Sequence, residues 1–307
     1  MKSPKYILFT AFLLVLLISL ASCTSDDAAG DDRPFVVTTT MMLEDLVTQI
    51  AGGHVRVQGM MGPGVDPHLY RATPADVRRL EQADLIIYNG LFLEARLADV
   101  LSRMPERSFA AAEKLDRNAL IEATDFGGSY DPHVWFDVSL WAEIALLTGE
   151  RLGELVPEAV EEIRAGAQAY AAELMLLHEW VKAEIATIPE SRRVLITAHD
   201  AFGYFGRAYT IDVRGLQGLS TQSEVGLQDV SRMVRFIMDN EIPAIFLESS
   251  IAPRSIQSLM NGVRDRGGQI SLGGELFSDA MGNRGTPEGT YTGMVRHNVN
   301  TIVQALK

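Results

Sequence analysis

The chain has 307 residues, 47% hydrophobic and 22% charged, which is enough to bury a large core and to form two lobes. A formal net charge of −13 repels phosphate backbones and argues against nucleic acid as a partner. The same charge modestly concentrates cations near the surface without defining a site for them.

Lys2 and Lys5 precede the apolar run "YILFTAFLLVLLISL", which is followed by "ASC". A basic start, a hydrophobic run and small residues before a cleavage point describe an export signal over residues 1–22. The only cysteine, Cys23, stands in "LASC", the pattern of a bacterial lipobox. Cys23 is therefore expected to become the lipidated first residue of the mature chain. That leaves no disulfide, no thiol nucleophile and no thiolate metal ligand. The small, acidic stretch that follows makes residues 23–34 a flexible tether, so the protein is expected to be exported and anchored to membrane lipid through Cys23.

Strands and helices then alternate. "FVVTT" is a β-branched strand, and "MMLEDLVTQIAGG" has helical spacing ending at Gly52-Gly53. "HVRVQGMMGPG" is a strand running into a turn. In "TPADVRRLEQA", Thr73 caps a helix, Pro74 suits its first turn and Asp76 favours its positive end. "DLIIYNG" predicts a buried strand and "LEARLADVLSRM" a further helix. This order implies βαβ units with a mainly parallel sheet. Residues 158–188 differ: Val160, Ile163, Ala167, Ala171, Leu174, Val181, Ile185 and Ile188 keep a helical period, with Gly166 the one glycine and no proline. Such a helix spans roughly 45 Å and suits a rigid strut between lobes. After it the β/α pattern resumes with "RRVLITAHDAF", "GLQDVSRMVRFIMDNEI", "PAIFLESS", "SIQSLMNGVRDRG" and "GQISLGGELFSDAM". The predicted organisation is a signal peptide (1–22), a tether (23–34), an α/β lobe (35–157), a linking helix (158–188) and a second α/β lobe (189–307).

Two stretches repeat Asp-Pro-His, "VDPHLY" and "DPHVWFD", in a chain with six histidines. His68, His133, His199 and Asp279 fall mostly where a strand gives way to a loop, the edge at which open α/β sheets bind ligands. Two precede the long helix and two follow it, so a cleft between lobes would bring all four together. Taken singly, each histidine has an ordinary polar role, which His54, His178 and His297 keep; His178 lies within the long helix and is expected to pack or cap its surface. In both Asp-Pro-His turns the proline stiffens the chain and the aspartate accepts backbone N–H bonds, an arrangement that also orients the following imidazole. Three neutral imidazoles and a carboxylate form a coherent set for a divalent transition metal. Imidazole suits zinc, carboxylate suits manganese, and iron lies between, whereas calcium and magnesium want oxygen alone.

The stretches "GVDPHLYRATPADVRRLEQADLIIYNGLFLE", "DPHVWFD", "VLITAHDAFGYF", "IPAIFLESS" and "LFSDAMG" together resemble the metal-specific solute-binding proteins of bacterial ABC importers, the family typified by TroA and ZnuA. The resemblance covers nearly the whole mature chain. It implies that His68, His133, His199 and Asp279 are the metal ligands, that the two lobes move little, and that the chain is not an enzyme. It further implies that the protein, acting as a monomer, captures Zn2+ or Mn2+ outside the cytoplasmic membrane and delivers it to a permease. Two departures leave the metal open. Many manganese-type members carry Glu where this chain has His199, and many zinc-type members carry a His-rich loop where residues 69–132 contain no histidine.

Two other classes fit less well. A secreted zinc hydrolase needs an open coordination position, and the sequence has neither a HExxH helix nor a GxSxG elbow. Glu248 in "LESS" reads better as a strand-end carboxylate holding a ligand or loop than as a catalytic base. A surface adhesin would need a repeat or an exposed aromatic patch, and the sequence shows no such feature.

Overall fold

A computed structural model of the chain describes residues 31–123, 129–222 and 225–307. The expected signal peptide and Cys23 lie outside the described residues. Among the described residues no helix is long and apolar enough to cross a membrane. The chain divides into Met1–Arg33 and a compact unit Pro34–Lys307, to which every element named here belongs.

The N-terminal half builds a parallel sheet in the order β2-β1-β3-β4 from β1 (Phe35–Thr38), β2 (Arg56–Gly59), β3 (Leu85–Tyr88) and β4 (Ser108–Ala110). Strand β1 is buried along its whole length because both of its faces are covered. Val36 joins the large central core, while Phe35 and Val37 join a smaller cluster with Leu80, Ile86 and Leu97. Burial on both faces is why such parallel strands read as continuous apolar runs.

Helix α1 (Met41–Ala51) starts where Thr40 accepts a hydrogen bond from Leu43 N and stops at Gly52, whose φ of 56° is left-handed. Helix α2 (Pro74–Gln82) carries the expected Thr73/Asp76 capping box.

The helix expected over "LEARLADVLSRM" is not formed at full length. Only a 3-10 turn, Ala95–Leu97, and one α turn, α3 (Ala98–Leu101), appear. Leu91 and Phe92 enter this segment at φ of 53° and 65°. The Glu94 carboxylate turns back to Asn89 N and Gly90 N instead of capping the helix. Pro105 then bars Met104 from helical backbone, so the segment is pinned at both ends.

A two-residue antiparallel pair, β5 (Glu122–Ala123) and β6 (Ser129–Tyr130), precedes the second Asp-Pro-His turn. Asp137 then caps α4 (Val138–Leu155) by accepting from Ser139 N.

The long helix is α5 (Val160–Ala186), 27 residues, entered through a 3-10 turn at Pro157–Ala159. It is about 40 Å long. Its apolar stripe is buried as the periodicity requires, Val160 excepted, with Tyr170 and Leu177 added to it. It is less a bare strut than a spine, because it packs against α1 and α4 on one side and against later helices on the other. Two glycines allow the close approach. A methyl group at Gly166 would lie 2.5 Å from the Ile50 carbonyl, and one at Gly149 would lie 2.5 Å from Ala167 Cβ.

The C-terminal half contains β7 (Val194–His199), α6 (Gly203–Tyr209), β8 (Asp212–Gln217), α7 (Leu227–Asp239), β9 (Ala244–Glu248), α8 (Arg254–Asp265), β10 (Ser271–Leu276) and α9 (Tyr291–Leu306). Strand β7 pairs in parallel with β8, and β9 with β10, while β7 and β9 lie side by side. Elements β4, β5, β6, α6, β8 and α9 come in addition to those expected from the sequence. Two α/β lobes joined by a long helix are therefore present. They share one continuous core, with Val36, Leu85 and Ile87 of the first sheet in the same cluster as Ala244, Phe246 and Leu276 of the second.

Candidate metal centre

The four residues singled out from the sequence meet at one point. His68 lies on the loop after β2, and His133 immediately precedes a 3-10 turn at Val134–Phe136. His199 is the last residue of β7, and Asp279 follows β10 by three residues. All four are at most 2% exposed, and one ligand-type atom from each lies within 4.8 Å of the others. His68 Nε2 is 3.3 Å from His133 Nε2, and His199 Nε2 is 3.3 Å from Asp279 Oδ2. Asp279 Oδ1 is 3.6 Å from His133 Nε2, and Oδ2 is 3.8 Å from His68 Nε2. Zinc–nitrogen bonds of about 2.0–2.1 Å put tetrahedral ligand atoms roughly 3.3–3.4 Å apart, so this set is spaced to close on one ion. Beyond their own approach to each other at 3.3 Å, His199 Nε2 and both Asp279 oxygens are buried with no hydrogen-bond partner among the described residues, a need that a cation would satisfy.

Two of the imidazoles are aimed by the same device built from different parts. Asp131 Oδ1 accepts from His133 N at 2.9 Å and faces Nδ1 at 2.7 Å. Glu248 accepts from His199 N at 2.8 Å and faces its Nδ1 at 2.5 Å. Each carboxylate accepts a hydrogen bond from the Nδ1–H, which leaves Nε2 facing the centre and raises its basicity as a ligand. Asp131 comes from two residues back in the chain, whereas Glu248 comes from the end of the neighbouring strand. Glu248 is thus the strand-end carboxylate that holds a ligand.

The first Asp-Pro-His turn works differently. Asp66 Oδ1 accepts from His68 N at 2.8 Å, but His68 Nδ1 has no hydrogen-bond partner among the described residues. The two repeats therefore share their local turn and not their grip on the ring.

Charge follows the geometry. Burial pulls the His68 pKa down from 6.5 to about 3, in spite of Asp279 nearby. Burial also opposes charge on His199, but the Glu248 and Asp279 carboxylates outweigh it and raise this imidazole well above its ordinary value. Burial would raise Asp279 too, yet the imidazoles of His199, His133 and His68 hold it below the usual carboxylate range. These directions favour an ionised Asp279 beside a protonated His199, with His68 neutral, whenever no metal is bound.

Residues outside the expected set complete the support. Asn89 Nδ2 donates to Pro132 O at 2.9 Å, and Trp135 Nε1 donates to Ser278 O at 3.1 Å. Tyr204 OH donates to Asp131 O at 2.9 Å, and Asn298 bonds both N and O of Phe277. No periodicity or spacing marks these residues, because each acts on a segment far away in sequence. His178, within the long helix, packs its surface against Tyr209 of α6, with Nδ1 3.1 Å from Tyr209 OH. His54 and His297 lie outside the cluster.

A buried set of three imidazoles and one carboxylate, assembled from two α/β lobes around a spine helix, defines a metal-binding protein. The family model described as "ZnuA: Zinc-uptake complex component A periplasmic" matches residues 36–305, and the chain belongs to this family. It is 44% identical over 301 residues to the manganese-binding lipoprotein MntA of Bacillus subtilis (strain 168), covering 97% of this chain and 98% of that one. It is 48% identical over 286 residues to the zinc-binding protein TroA of Treponema pallidum (strain Nichols), with 92% of each covered. The solved structure of the periplasmic zinc-binding protein TroA from Treponema pallidum superimposes with a TM-score of 0.87 at 47% identity, over 89% of this chain and 99% of that one. That of Fe(III)-bound YtgA from Chlamydia trachomatis gives 0.80 at 26% identity, over 89% and 98%.

Proposed function

We propose that this protein captures zinc or manganese outside the cytoplasmic membrane and delivers it to the permease of an ABC importer. The ion is cargo, and the protein's task is binding rather than catalysis. His68, His133, His199 and Asp279 are the proposed ligands. The single observation that carries this reading is the convergence of three Nε2 atoms on a carboxylate whose two oxygens are buried and, among the described residues, face those imidazoles alone. Four protein ligands leave no coordination position dedicated to an activated water, which separates the site from catalytic zinc centres.

The proposed assignment keeps residues 1–22 as signal peptide, Cys23 as the lipid-bearing residue and 23–34 as tether. It places the lobes at 35–157 and 189–307, with 158–188 between them, in a monomer. Relatives named as lipoproteins or as importer components support export, anchoring and a permease partner. Both oxygens of Asp279 face the imidazoles, which suits bidentate, five-fold coordination as well as tetrahedral. The Irving–Williams order makes zinc bind such a set more tightly than manganese whichever ion is carried.

Metal content and competitive calorimetry with zinc and manganese test the reading on the purified protein. One ion per chain is expected, with His68→Ala and Asp279→Ala weakening it strongly while the fold persists. Near-native affinity in either variant overturns the ligand assignment, and absence of any saturable site overturns the function.

A further inference from the structure

His133 and His199 are each gripped from behind by a carboxylate, and the Asp279 loop is tied by Trp135 and Asn298. His68 has no such brace. Its Nδ1 is buried without a hydrogen-bond partner among the described residues, so its ring is held only from the front, by His133 Nε2 at 3.3 Å, and not from behind. What holds the His68 turn comes from the opposite lobe. Thr221 Oγ1 donates to Asp66 Oδ2 at 2.6 Å, and Gln222 Nε2 donates to the His68 carbonyl at 3.3 Å. The Asp66 carboxylate is divided, with Oδ1 on the His68 N–H and Oδ2 on Thr221. Thr221 is itself seated, because Gln217 Nε2 donates to its carbonyl at 2.8 Å, and Ser220 Oγ accepts from Gln222 N at 3.3 Å.

We propose that Thr221 and Gln222 form an interlobe latch that positions His68 and so sets how long a captured ion is retained. The inference rests on the metal-capture reading given above. His133, His199 and Asp279 form the braced part of the site, which meets the ion first. His68 completes coordination once Asp66 is latched to Thr221, and it is the first ligand to leave when the latch parts. Thr221 and Gln222 touch no ion, and they act through the backbone and the aspartate beside the ligand. The Thr221 hydroxyl bonds to a carboxylate, the stronger kind of hydrogen bond, so its loss should be felt more than that of the longer Gln222 contact. Because the latch holds one ligand of the assembled site in place, its effect falls on release and not on capture.

The test uses the full-length chain in detergent, loaded with zinc, with release followed in stopped flow against excess chelator and capture measured separately. Thr221→Val keeps the shape and removes the donor, and Thr221→Ser keeps the donor. Release from Thr221→Val is expected to be about tenfold faster with little change in capture, to return towards the wild-type rate in Thr221→Ser, and to rise by a smaller factor in Gln222→Ala. Wild-type release in Thr221→Val overturns the latch, as does a Thr221→Ser protein that releases as fast as Thr221→Val. A change confined to capture overturns it as well. A wild-type chain with no saturable zinc site overturns the metal-capture reading, and the latch with it.

Discussion

Trp135 Nε1 donates a hydrogen bond to the carbonyl of Ser278, the residue before Asp279, at 3.1 Å. The carbonyl of Trp135 in turn accepts from Tyr291 OH at 2.7 Å. The indole therefore ties the turn that carries His133 to the loop that carries Asp279, although 143 residues separate the bonded pair. Trp135→Phe keeps most of the buried area and removes the donor. Zinc affinity should fall by about two- to tenfold, the range for one lost hydrogen bond, which competition against a chelator of known affinity measures. An unchanged affinity would show that the Asp279 loop holds its place through Asn298 alone.

Glu248 offers its carboxylate to both N–H groups of His199, and Asp131 does the same for His133. Glu248→Gln and Asp131→Asn keep the shape and replace one acceptor oxygen with a donor NH2. Each is expected to weaken zinc binding by about 10- to 100-fold, the usual cost of losing a partner behind a metal-bound histidine. Calorimetry that finds either variant at the wild-type affinity would reduce that carboxylate to a structural role.

Binding should release protons. The raised pKa of His199 means that its protonated form stabilises the metal-free protein fully below the ordinary 6.5. That contribution is lost as pH rises through the raised value. An ion must displace this proton, so apparent affinity should increase with pH, with about one proton released per ion at neutral pH. Titrations in two buffers of different ionisation enthalpy read this directly. Equal observed enthalpies in the two would contradict it.

Gly166 lets α5 cross α1 closely, since a Cβ there would stand 2.5 Å from the Ile50 carbonyl. Gly166→Ala should destabilise the metal-free protein by about 1–3 kcal/mol through overpacking, despite the better helix propensity of alanine. Chemical denaturation checks the sign. A stabilised variant would mean that the two helices part without cost.

Much of this arrangement is legible in the residues themselves. Wherever the signal is local, the structure follows it: Thr73 and Asp76 form their capping box, Gly52 ends α1 in the left-handed region, and the stripe from Ile163 to Ile185 is buried. The segment "LEARLADVLSRM" fails for a tertiary reason, because Glu94 is drawn back to Asn89, Gly90 and Thr39 and the chain enters the segment through left-handed backbone. Helix α9 is itself readable, since Tyr291, Met294, Val295, Val299, Ile302 and Leu306 keep a helical period behind Thr290 as cap.

By itself the sequence determined the α/β alternation, the spine helix and the four residues able to bind metal, because periodicity, capping chemistry and ligand type are properties of neighbouring residues. Only the tertiary structure decided what stands behind each ligand. The two Asp-Pro-His turns have the same sequence, yet Asp131 turns to its own histidine ring while Asp66 reaches across to Thr221. Asp131 serves both groups of its histidine with one oxygen, whereas Asp66 gives its second oxygen to a donor that only the fold brings beside it.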